Sequence, residues 1–121
     1  MSVTNSDATA LYSSDGAEIE VTGGTVSAAA SAAISNNGDS TITITGQAKV
    51  TSACTSAESG TIRVEGGTGG STLNIVGGTV ENTADNGNAI YNVGKSGINL
   101  SGGTVSAKNG CAINNLSLIH I

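Results

Sequence analysis

The chain has 121 residues, 18 of them glycine, with no proline, phenylalanine or tryptophan and a formal net charge of −5. That length holds one domain at most, and so aromatic-poor and Gly-rich a composition excludes an ordinary globular core. An acidic balance (pI ≈ 4.4) with only four scattered Lys and Arg residues excludes a nucleic-acid partner, and no apolar run is long enough for insertion into a membrane.

Residues 1–9 are polar, carry no signal peptide and read as a partial or disordered N-terminal segment. From Ala10 onward three short strands recur in a fixed order. An Ala-apolar strand stands at Ala10-Leu11, Ala33-Ile34, Ala53-Cys54, Ala89-Ile90 and Ala112-Ile113. A paired apolar–x–apolar strand opens at Ile19, Ile42, Ile62, Leu73 and Ile98. A valine strand follows a Gly turn at Val26, Val50, Val80 and Val105.

The spacing carries the fold. Leu11 to Ile19, Ile34 to Ile42, Cys54 to Ile62 and Ile90 to Ile98 are all eight residues, and Leu11 to Ile34 closes a circuit of 23. Repeats of this length imply stacked coils with a strand on each side. The expected fold is therefore all-β: a right-handed parallel β-helix over residues 10–115, with about four to five coils of roughly 20–25 residues and no caps. Period-two alternation points Ile19/Val21, Ile42/Ile44, Ile62/Val64, Leu73/Ile75 and Ile98/Leu100 inward, and Glu20, Thr43, Arg63, Asn74 and Asn99 outward. The Gly pairs at 23–24, 66–67, 77–78 and 102–103 mark a corner that calls for positive φ.

Ser13, Asn36, Ser56, Asn92 and Asn115 share one phase and predict a polar ladder from coil to coil. One step breaks the rule: Ile62 to Leu73 is 11 residues, through Gly66-Gly-Thr-Gly-Gly-Ser71, and reads either as an abbreviated coil or as a local excursion such as a hairpin. Cys54 falls inward and Cys111 outward, several rungs apart, so both are expected as free thiols.

The pattern Gly-Gly-Thr-Val, a spacer, Ala-Ile-Tyr-Asn-x-Gly, a spacer, then Ile-x-Leu-Ser-Gly-Gly resembles the pectin-lyase-like parallel β-helix repeats of large surface proteins of Firmicutes-type bacteria, best over Leu73 to Asn115. The resemblance implies an extracellular or cell-surface location and a role in projecting adhesive or glycan-binding modules. Residues 116–121 (Leu-Ser-Leu-Ile-His-Ile) resemble a translated sequencing adapter, which implies that the natural coding sequence stops near Asn115. Ile121 nevertheless falls at a phase that the repeat fills with an apolar residue.

Reactive constellations are few. A Ser/His/Asp or Cys/His set needs an imidazole, and the one histidine, His120, lies in the adapter-like tail. Two cysteines without a further histidine do not make a zinc site, and no cofactor is expected. Asp15, Asp39 and Glu58 occupy similar corner phase and are the weak candidates for calcium; solvated charge that keeps the stack soluble is the favoured account of them. Tyr12 and Tyr91, both expected to face outward, and Asn36 and Asn92 of the ladder are the candidates for contact with a ligand. Thr41, Thr43 and Thr45 form a local threonine row, but Glu20, Arg63, Asn74 and Asn99 at the matching positions argue against an ice-binding plane.

The reading is a non-enzymatic structural or adhesive repeat region whose partners are host or microbial glycans or surface proteins. The alternative is a fragment of a polysaccharide-active β-helix enzyme, a lyase or glycoside hydrolase, with its catalytic coils elsewhere. A flat Asn/Thr-lined face favours the first, and a groove with converging carboxylates the second.

Overall fold

The computed structural model describes residues 1–117, and among them are twelve strands and no helix. Five strands form one parallel sheet: β1 (Ser2–Asn5), β4 (Thr25–Ala28), β7 (Lys49–Ser52), β9 (Thr79–Asn82) and β11 (Thr104–Ala107), hydrogen-bonded in that order. The remaining seven form a second, bent sheet. In it β2 (Leu11–Ser14), β5 (Ile34–Asn37), β8 (Ile62–Ile75), β10 (Ile90–Leu100) and β12 (Ile113–Ser117) stack along one limb, and β3 (Glu18–Val21) and β6 (Thr41–Ile44) continue the stack along the other. Every pairing is parallel, and the chain climbs one rung per circuit, giving a β-solenoid of about five turns.

The core is a set of vertical aliphatic columns. Val3, Val26, Val50, Val80 and Val105 pair rung to rung in the five-stranded sheet. Ile19, Ile42, Leu73 and Ile98 do the same on one limb of the bent sheet, and Leu11, Ile34, Ile62, Ile90 and Ile113 on the other. Branched aliphatics suit this interior because they pack against like neighbours on a pleated surface. The middle rungs seal completely, and the end rungs do not. Ile42, Ile62 and Leu73 are fully enclosed, whereas Leu100, expected inward, is 50% exposed because no described rung covers it.

The register departs from expectation in one coil. Ile62 pairs with Ile34 below and Ile90 above, so Ile62–Glu65 is the rung of the Ala-apolar limb and not a paired strand. Cys54 is displaced from the slot assigned to it. It is buried, as expected, but in an irregular stretch over 53–61 that has no strand. The 11-residue step is thus a local excursion and not an abbreviated coil, and its form is a bulge, not a hairpin. β8 runs continuously from Ile62 to Ile75 through both limbs, and its pairing with β10 jumps from Gly66↔Gly94 to Ser71↔Ser96. The extra residues bulge at the corner.

The polar ladder shifts with it: Val64, not Ser56, stands between Asn36 and Asn92. The Gly corner divides the same way. Gly24, Gly78 and Gly103 have positive φ, but Gly66 and Gly67, which lie at the other corner, do not. At Gly78 (φ +80°) a Cβ would stand 2.5 Å from the Ala48 carbonyl oxygen of the rung below, so both backbone conformation and stacking distance require glycine.

The ordered stack begins earlier than Ala10, since Ser2–Asn5 pairs residue for residue with Thr25–Ala28. At the other end β12 includes Leu116 and Ser117, which pair with Val93 and Gly94. His120 and Ile121 lie outside the described residues.

Candidate functional surface

The five-stranded sheet has a regular outer side. Because each valine of the central column points inward, the residues on either side of it point outward. Ser2, Thr25, Lys49, Thr79 and Thr104 form one outward row. Thr4, Ser27, Thr51, Glu81 and Ser106 form the other. Eight of these ten positions are Ser or Thr, and none is fully buried. The two exceptions have opposite charge and sit on adjacent rungs, Lys49 beside Thr79 and Glu81 beside Thr51, so the face carries no net charge. Hydroxyls both donate and accept, and a parallel sheet repeats them at about 4.8 Å along the stack. The signal for this face was present in the residues flanking each stacked valine; the threonine row considered from the sequence lies on the bent sheet instead.

On that limb of the bent sheet the outward row is Glu20, Thr43, Asn74 and Asn99, with Asn99 Nδ2 donating to Asn74 Oδ1 at 2.9 Å. Arg63 is not part of this row. It stands on the other limb, between Ser35 and Tyr91.

The ligand candidates separate. Tyr12 is 60% exposed, as expected for an outward side chain. Tyr91, expected at the surface, is only 6% exposed, and the Arg63 guanidinium lies over its ring at 5.9 Å from the centroid. Arg63 is itself pinned, with Nη1 on Glu65 Oε2 at 2.6 Å and Nε donating to the Glu58 carbonyl at 3.1 Å. Asn36 and Asn92 are wholly enclosed and serve the coil interior. Asn36 donates to Ser71 Oγ at 2.7 Å and accepts the Glu65 N–H at 2.9 Å; Asn92 donates to Asn115 Oδ1 at 3.0 Å. Neither amide faces solvent, so neither can form part of a surface for a ligand.

The carboxylate candidates separate as well. Asp15 and Asp39 are neighbours on successive rungs, where the Gly16 N–H donates to the Asp39 carbonyl at 2.6 Å. Glu58 lies at a different corner, in the 53–61 stretch, where its N–H donates to Ser56 Oγ at 3.2 Å. The assumed common phase failed because it counted from Cys54 as a strand position. Asp39 already has partners: the Gly69 and Gly70 N–H groups hold its carboxylate. Among the described residues no three His, Cys, Asp or Glu side chains are placed to hold one metal ion.

No family model, no curated protein and no solved structure matches this chain.

Proposed function

We propose that this chain is a non-enzymatic repeat region of a bacterial surface or secreted protein, similar in design to pectin-lyase-like β-helix repeats, and that it presents the five-stranded sheet to neutral glycans. The observation that carries this reading is the outward double row of hydroxyls on that sheet, with Thr25, Thr51 and Thr79 at its centre. A net-neutral hydroxyl face suits an uncharged polyol better than a polyanion. Its stiffness lowers the entropy lost on binding. No aromatic platform stands on this face, so each rung contributes little and affinity depends on how many rungs one polymer spans.

Affinity electrophoresis against neutral polysaccharides of increasing chain length tests this. Retardation should grow with polymer length and disappear in the triple variant Thr25→Ala/Thr51→Ala/Thr79→Ala. If no polymer retards the chain, or the triple variant is retarded equally, the glycan reading is wrong. Shortened polysaccharide after incubation would instead favour a polysaccharide-active enzyme.

A further inference from the structure

The first and last described rungs of this chain match each other. β4 and β11 have the same sequence, Thr-Val-Ser-Ala. The upper edge of β4 is occupied by β7, Lys-Val-Thr-Ser, with Val26 on Val50 and Ser27 on Thr51. Among the described residues the corresponding edge of β11 pairs with no strand. At the opposite end of the sheet stands β1, Ser-Val-Thr-Asn, which has the Val-Thr pair of β7 at the same two positions. A second copy's β1 laid on β11 would therefore repeat a pairing the chain already makes with itself.

The backbone agrees. The Met1 and Asn5 carbonyls accept from the Thr25 and Ala29 N–H groups, so the alternate residues Ser2 and Thr4 turn their N–H and C=O groups away from β4. At the other end Thr104 donates to Gly78, which leaves Val105 and Ala107 facing away from β9. Among the described residues both edges are unpaired, and they run in the same direction.

Charge and a buried hydroxyl point the same way. Residues 1–48 carry five Asp and Glu and no Lys or Arg, while residues 86–117 carry Lys95 and Lys108 and no Asp or Glu, with Lys108 paired to Asp85 at 3.3 Å. The acidic end of one copy would thus meet an end of another that carries little negative charge, with Lys95 its one cation outside an ion pair among the described residues. Ser13, 5% exposed, has no partner for its Oγ, and its column continues through Asn36 and, at the far end, Asn92 and Asn115. Stacking would set Ser13 of one copy over Asn115 of the next.

We propose that this 121-residue chain associates head to tail with a second copy, β1 and β2 of one adding to β11 and β12 of the other. Such a contact is heterologous and does not close, so it builds an open series and not a fixed dimer. It does not depend on glycan binding, which uses the side of the sheet and not its edges.

Edge prolines decide it. Thr4→Pro and Ala107→Pro each remove an outward N–H from one end and leave the inward ladder intact. In analytical ultracentrifugation the wild-type chain should show a mean mass that rises with concentration above the 11.7 kDa monomer. Each variant alone should remain monomeric. An equal mixture should give a dimer of twice the monomer mass and nothing larger, because only one free edge of each kind is left; this also establishes that both variants fold. A wild-type chain that is monomeric throughout, a single variant that associates like wild type, or a mixture that stays monomeric would overturn the proposal.

Discussion

Asp39 holds Gly69, thirty positions later in the chain, by accepting one backbone N–H on both carboxylate oxygens at 3.1 and 3.0 Å. Gly70 adds a third contact at 3.0 Å. The corner of β8 is longer than the matching corner of β10, and its surplus amides have no rung to pair with. A carboxylate from the coil below supplies the missing acceptor, and backbone groups denied a ladder need such a partner.

Replacing Asp39 by Ala should therefore loosen this corner more than the stack as a whole. The expected cost is about 1 kcal/mol, since the contacts are exposed to solvent. Amide exchange followed by NMR should accelerate at Gly69 and Gly70 and remain slow at Ile62 and Leu73. Unchanged exchange at the two glycines would show that the carboxylate does not order them.

Core truncations should depend on height in the stack. Ile62 is fully enclosed between Ile34 and Ile90, so Ile62→Ala should destabilise by about 2–5 kcal/mol. Leu100 is half exposed at the last rung of its limb, and Leu100→Ala should stay within about 0.5 kcal/mol of wild type. Denaturant titration of both variants measures the contrast. Equal losses would mean that the end rung is as well covered as the middle.

Arg63 ties the irregular 53–61 stretch to the bent sheet through Glu58, Glu65 and the Tyr91 ring. Lysine keeps the charge but loses the planar fork that makes these contacts together. Arg63→Lys should speed limited proteolysis within 55–59 and increase the fluorescence response of Tyr91 to quenchers. Cleavage at the wild-type rate would remove Arg63 from this role.

The two thiols should react at very different rates. Cys111 is exposed and Cys54 is buried at 1% exposure, and neither is in a disulfide. Under native conditions a thiol reagent should modify one site per chain, identified by mass spectrometry as Cys111, with the second appearing only in denaturant. Rapid native labelling of Cys54 would indicate that the 53–61 stretch opens readily.

Local pattern by itself determined a good deal of this protein. The inward aliphatics, the Gly turns at 24, 78 and 103, the parallel coil and the unpaired cysteines all follow from alternation and spacing within about two dozen residues. What it left open was which rung sits on which. Ile62-Arg-Val-Glu-Gly-Gly reads like any paired strand, because every side of a solenoid buries the same alternation and the two limbs look alike from within the strand.

Only the pairing of Ile62 with Ile34 and Ile90 assigns it to the Ala-apolar limb, and that contact lies outside any local window. The candidate site followed suit. Glu58 left the carboxylate group and Ser56 left the ladder once Cys54 proved not to be a rung. Tyr91 was buried, with Arg63 of the neighbouring rung over its ring, and the hydroxyl face became visible only when the flanks of five valines were set side by side. Whether a side chain points in or out is decided by its own strand. What covers it is decided by the coil above and the coil below.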